Sequence, residues 1–238
     1  MKRMVILGAG TGGTLLANRL RRRFGEDELQ IDVVDRDPVH VYQPGLLFVP
    51  FGEADPEAIV RPRQAQLRGA IGYHQTGIEA VSLGEERVLL ESGDSLPYDL
   101  LVVATGTRLL PGETEGMLGD HWNESVFTFY DLPGATALRD ALARFEGGRL
   151  VVDIVDMPIK CPVAPIEFVF LADWFLRQRG VREQTTLTLA TPLDGCFTKP
   201  IASKHLTYLL EEKGIELAVE FSAGEVDGGN GRLVSYDG

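Results

Sequence analysis

The stretch ILGAGTGG at residues 6–13 constrains the fold more than any other. Gly8, Gly10 and Gly13 stand in G-x-G-x-x-G order. An apolar run at 2–7 precedes them, and an amphipathic run at 14–24 follows, with Leu16, Leu20 and Phe24 at i, i+4 and i+8. A second apolar run, 31–35, ends in Asp35, 22 residues after Gly13. This order predicts a strand, a glycine turn, a helix and a second parallel strand within about 30 residues, the unit that binds dinucleotides. Gly8 suits the tight turn, Gly10 lets the backbone approach a pyrophosphate, and Gly13 lets the helix pack close to the sheet. The helix N-terminus adds free N–H groups and a positive dipole end for the phosphates, with Thr11 in the same cradle. Asp35 stands where a carboxylate takes the adenosine ribose hydroxyls. The competing reading is a degenerate loop that only packs a helix on a sheet.

Later runs predict a second unit of the same kind. Residues 37–63 are irregular and punctuated by Pro38, Pro44, Pro50, Pro56 and Pro62, as in functional or linking segments. Runs at 78–83, 87–91 and 98–104, parted by LGEE and SGDSLP, predict a hairpin or meander. The last closes as VVATGTR, with a tight turn at Thr105 and Gly106. Beyond a connector at 113–131, helical runs at 132–145, 164–179 and 200–213 alternate with strand runs at 149–155, 185–190 and 215–220. EVDGGNGRLVSYDG reads as a closing hairpin. The predicted class is α/β with two Rossmann-like domains, 1–112 and 132–238.

Charge and cysteine content narrow the partners. A net charge of −12 argues against nucleic acid, and the one dense basic run, Arg19 and Arg21 to Arg23, suits a helix C-terminus better than a binding patch. No apolar stretch reaches the ~20 residues that span a bilayer, and no leader sequence is evident, so a cytoplasmic location is the expectation. Two cysteines make no disulfide scaffold, and four scattered histidines show no metal-ligand spacing.

The second unit departs from the first at its loop. After the strand at 149–155 comes MPIKCPVAPIEF, with no G-x-G-x-x-G. Pro158, Pro162 and Pro165 lack N–H groups, so the loop is a poor phosphate cradle, and a nicotinamide dinucleotide is not expected there. Pro165 suits a first helical turn. Cys161 then precedes a helix N-terminus and follows Lys160, surroundings in which cysteines react. The alternative is a buried inert thiol.

PIKCPVAPIEF resembles the cysteine segment of sulfide:quinone oxidoreductases and flavocytochrome c sulfide dehydrogenases, FAD enzymes related to two-domain disulfide reductases. The likeness extends to residues 8–13 with Asp35, to YQPGLLFVPFG at 42–52, to ATG at 104–106 and to ATPLDGCFTKPIASK at 190–204. The resemblance implies FAD as cofactor, sulfide as electron donor and a quinone as acceptor. Cys161 matches the family cysteine at which sulfide is oxidised. Gln43, Pro44 and Gly45 match a loop over the flavin, and Thr105 and Gly106 a return strand beside it. A homo-oligomer is implied too.

The sequence lacks three family features: a partner cysteine downstream, a Gly-Asp flavin segment and C-terminal amphipathic helices that seat relatives on the inner face of the membrane. It therefore reads as the N-terminal portion of such an enzyme. Cys196 reads as a packing position, although parallel strands at 149–155 and 185–190 would permit a Cys161–Cys196 disulfide. A type II NADH:quinone reductase and a non-catalytic FAD-binding redox sensor remain as alternatives.

Overall fold

β1 (Lys2–Leu7) is the first apolar run, and its last four residues are buried. α1 (Thr11–Arg23) follows after three residues, and β2 (Leu29–Val34) runs parallel to β1, from Lys2↔Leu29 to Leu7↔Val34. The structure, a computed structural model, describes residues 1–237. It forms two units: Met1–Tyr42 with Glu57–Arg108, and Gln43–Pro56 with Leu109–Gly238.

In the first unit, β3 (Val39–Val41) and β4 (Val60–Pro62) pair antiparallel, and α2 (Arg63–Gln66) leads into β5 (Gly72–His74), parallel to β2. β6 (Ile78–Ser82), β7 (Arg87–Leu90) and β8 (Ser95–Pro97) form an antiparallel meander. β9 (Leu100–Val103) pairs parallel with β1 and gives the order β5-β2-β1-β9. The sequence suggested 98–104 as the third meander run, but Ser95–Pro97 takes that place. Asp99 is the pivot: its N–H donates to the Arg3 carbonyl at 2.9 Å and its carboxylate accepts the Arg3 N–H at 2.7 Å, pinning the next strand to β1.

Alternation along β1 serves two layers. Met4 and Ile6 pack with Ala17 of α1 and Ile31 and Val33 of β2. Val5 and Leu7 pack with Val34 and with Val88 and Leu90 of the meander. Each such Val, Leu, Ile or Met side chain, fully buried, contributes about 1.5–3 kcal/mol, and the meander covers the sheet face that α1 leaves open.

In the second unit, α3 (Leu132–Arg144) begins at Asp131, whose carboxylate accepts the Gly134 N–H at 2.7 Å, an N-cap. β10 (Gly148–Asp153), α4 (Ala164–Gln178), β11 (Thr185–Ala190), α5 (Pro200–Glu212) and β12 (Glu216–Ala218) follow, with the strands parallel in the order β10-β11-β12. β13 (Ala223–Asp227) and β14 (Arg232–Ser235) form the closing hairpin. The sequence placed 43–56 in the first domain and left 113–131 as a connector. Aromatic burial assigns both differently. The Phe51 ring lies 4.9 Å from Phe168 and 5.6 Å from Phe175, and Phe129 stacks on Phe168 at 4.6 Å. Both segments thereby join the core of Leu138, Val152, Val169 and Leu189. No helix among the described residues is long and apolar enough to cross a membrane.

Candidate functional site

The first unit gathers seven of the expected residues at one sheet edge. Leu7 pairs with Val34 on one side and Val103 on the other, so β1, β2 and β9 end flush. Gly8, Asp35 and the 104–106 turn therefore leave the sheet together, at the carboxyl edge where such folds bind ligands. The Gly8 N–H donates to the Val34 carbonyl at 2.7 Å, and the Ala104 N–H donates to the Leu7 carbonyl at 2.7 Å. Gly8 has φ +100°, and a Cβ there would strike the Ala104 carbonyl oxygen. A Cβ on Gly13 would strike the Gly8 carbonyl oxygen. Close packing therefore requires both glycines. Gly10 has open space beside it, and as N-cap of α1 it offers no side chain to the N–H groups of the Thr11 turn. The first N–H groups of a helix have no intrahelical partner, and no side chain caps them here, as an anion cradle requires.

Asp35 is more heavily engaged than its expected role suggests. Its Oδ2 accepts the Ala9 N–H at 2.7 Å and its Oδ1 accepts the Asp37 N–H at 2.9 Å. An ionised carboxylate offers about four lone-pair sites, so capacity remains for a ribose hydroxyl, but the first task of Asp35 is to hold the glycine loop. Nearby, burial foremost and then the Arg63 charge push the His40 imidazole down, favouring its neutral form.

The remaining site residues lie in the second unit. Gln43 and Pro44 open a five-residue 3₁₀ helix, Gln43–Leu47, with Gly45 and Leu46 buried. Cys161 is an exposed free thiol in the ten-residue connection between β10 and α4, residues 154–163. Its backbone lies at φ +55°, uncommon for a side-chain-bearing residue. Two donors hold it there: the Tyr130 hydroxyl at 3.1 Å and the Ala164 N–H at 3.1 Å both reach the Cys161 carbonyl. Burial, then the neighbouring Cys161 and Glu167, raise the Tyr130 hydroxyl well above its ordinary value, so it acts as a donor. Burial pushes the Lys160 ammonium down, and Cys161 beside it works in the opposite direction. Cys196 is a free thiol in the core, donating to the Ser203 carbonyl at 3.3 Å and accepting from the Thr207 hydroxyl at 3.3 Å.

The two units repeat one βαβ plan with different chemistry at equivalent points. Thr191 follows β11 as Asp35 follows β2, and it is fully buried. The second unit thus lacks the ribose carboxylate as well as the glycine loop. Sequence reasoning missed three residues. Arg63 lies 54 positions from the loop it contacts, and nothing local marks it. Tyr130 sits in FTFYD, an aromatic run with no spacing cue. Asp153 was visible as an acid inside the apolar RLVVDIV; burial raises it to about 7, and its Oδ1 has no hydrogen-bond partner among the described residues. No group of three or more His, Cys, Asp or Glu among the described residues is placed to hold a metal.

The sequence model for pyridine nucleotide-disulphide oxidoreductases matches residues 2–152, which include the whole glycine-loop cradle. The chain belongs to this family. Among curated relatives it is similar to the mitochondrial sulfide:quinone oxidoreductase of Mus musculus, with 23% identity over 223 residues, 94% of this chain and 49% of that protein. The solved sulfide:quinone oxidoreductase of Aquifex aeolicus superposes with a TM-score of 0.81 at 21% identity, over 98% of this chain and 56% of that one. NDH2 of Plasmodium falciparum superposes with a TM-score of 0.70 at 15% identity, over 95% and 49%. The chain spans about half the length of the curated relatives it matches. These likenesses carry the fold: two Rossmann-like parallel sheets.

FAD is the cofactor of this family. The first unit fits it: Gly8 and Gly13 bring helix and loop close, Gly10 leaves the space open, and the N–H groups of the Thr11 turn have no side-chain cap. Those groups would hold the pyrophosphate, and Asp35 the ribose of the adenosine half.

Proposed function

We propose that this chain carries the FAD-binding and sulfur-oxidising part of a sulfide:quinone oxidoreductase. Cys161 carries this reading: an exposed thiol, fixed through its own carbonyl, stands where the first unit has its glycine loop. Bound FAD supplies a two-electron acceptor and donor. In this reading the Cys161 thiolate and HS⁻ give up two electrons and a proton as they form a persulfide, a second HS⁻ takes the outer sulfur away as hydrodisulfide and frees the thiolate, and the quinone takes up two electrons and two protons. Tyr130 and the first N–H of α4 keep the thiol in place. Thr105 and Gly106, following β9, line the entry of the cofactor beside the glycine loop. The likeness to NDH2 supports a second reading, with NADH as donor. Pro158, Pro162 and Pro165 in the loop and Thr191 after β11 weigh against it.

One experiment separates them. The purified chain, loaded with FAD, is mixed anaerobically with sulfide or with NADH, and the flavin absorbance is followed. Bleaching by sulfide but not NADH, lost in Cys161→Ser, is the expected result. Bleaching by NADH, or unchanged bleaching in Cys161→Ser, overturns the proposal.

A further inference from the structure

Arg63 opens α2 and reaches back to the glycine loop. Its Nη1 donates to the Ala9 carbonyl at 2.7 Å and lies 3.4 Å from Asp35 Oδ2. That same Oδ2 accepts the Ala9 N–H at 2.7 Å. One residue of the loop, between Gly8 and Gly10, is thus held at both its N–H and its C=O by a single ion pair. The two side chains are 11% and 13% exposed, so water screens the pair only partly. The other edge of the guanidinium grips the turn after β2: Nε donates to the Asp37 carbonyl at 2.9 Å, and Nη2 lies 3.5 Å from the Asp37 carboxylate. The Tyr73 hydroxyl donates to that same carbonyl at 3.0 Å. α2 itself is tied to α1, because Asn18 donates to the Gln66 carbonyl at 2.8 Å and accepts the Arg68 N–H at 2.8 Å.

We infer that Arg63 is a positioning residue of the FAD cradle, closing a ring with Asp35 around Ala9 so that the loop stands in its cofactor-receiving shape before any phosphate arrives. A loop ordered in advance does not lose conformational entropy on binding, and that difference appears as affinity. The planar fork of arginine is needed because Nη1 and Nε must serve the loop and the β2 turn at once; a lysine offers one point charge and can serve only one of them. Arg63 makes no claim on the reacting end of the cofactor. It acts through Asp35 and Ala9. The inference rests on FAD placing its adenosine half on the glycine loop.

The test uses the full chain stripped of flavin. FAD affinity is read by quenching of flavin fluorescence, and ADP affinity by calorimetry, for wild type, Arg63→Met, Arg63→Lys, Asp35→Asn and the Arg63→Met/Asp35→Asn double variant. The flavin-free melting midpoint of each is read by circular dichroism. Arg63→Met should weaken both FAD and ADP by about tenfold to hundredfold and lower the midpoint, because it strands a nearly buried carboxylate, whereas Arg63→Lys, which keeps the charge, should lose affinity to an intermediate degree with its midpoint close to wild type. In the Asp35→Asn background Arg63→Met should cost about threefold or less, because the ring is already open. Wild-type affinity in Arg63→Met or Arg63→Lys, or an Arg63→Lys loss that simply follows a fallen midpoint, overturns the inference. An additive double variant overturns the part assigned to Asp35. Failure of wild type to bind both FAD and ADP would instead overturn the placement of FAD on the loop.

Discussion

Replacing Asp153 with asparagine should stabilise the second unit at pH 8 and change it little at pH 4. The carboxyl ends β10 with its Oδ1 buried and unpartnered among the described residues, and burial lifts it from 3.8 to about 7. Between those values the folded chain keeps a proton that the unfolded chain has released. Stability therefore falls as pH rises through the window, and the loss is complete above about pH 7. At ~1.36 kcal/mol per pH unit, a window about three units wide amounts to roughly 4 kcal/mol. Asparagine carries no charge at any pH, so the advantage of the variant should grow by roughly 3 kcal/mol between pH 5 and pH 8. Both tryptophans, Trp122 and Trp174, belong to the second unit, so urea unfolding followed by tryptophan fluorescence reads this unit alone. A difference between variant and wild type that stays constant from pH 5 to pH 8 would refute the argument.

Gly13→Ala should destabilise the first unit by about 1–3 kcal/mol and weaken FAD by about tenfold or more, since its Cβ would meet the Gly8 carbonyl; undiminished flavin affinity would contradict this. Asp173 is 1% exposed and accepts from Arg182 Nε at 2.7 Å and from Arg177 Nε at 3.1 Å. Burial would raise its carboxyl, but the hydrogen bonds from Arg177 and Arg182 and the charges of Arg177 and Lys213 outweigh that and hold it below 3.8. Its stabilisation is therefore present above pH 3.8 and lost as pH falls through the depressed value, a window opposite in sign to that of Asp153. Asp173→Asn should lower second-unit stability by about 3–5 kcal/mol at pH 7, with the deficit shrinking in acid; a neutral effect at pH 7 by the same fluorescence assay would refute it.

Much of the site could be read from spacing because its parts are local. Gly8, Gly10 and Gly13 follow from the geometry of one turn and one helix start, and Asp35 from the length of the helix between two strands. The thiol loop was readable for the same reason, since three prolines within eight residues exclude a row of backbone donors. Arg63, Tyr130 and the buried state of Asp153 were not readable. Each depends on a partner or an environment brought from elsewhere in the chain, and side-chain periodicity carries no information about that.

The amino-acid sequence by itself determined the βαβ units, the loss of the second phosphate loop and the position of Cys161, because turn chemistry and apolar periodicity act over a few residues. Tertiary structure decided the rest. It sent Leu100–Val103 to β1 rather than into the meander, through Asp99 and Arg3. It drew 43–56 into the second unit, because Phe51 finds Phe168 and Phe175 there. It also gave Asp35, beside its capacity for a ribose hydroxyl, a place in a ring with Arg63 and Ala9. Those choices rest on which distant surfaces exclude water together, and that quantity exists only once the chain is folded.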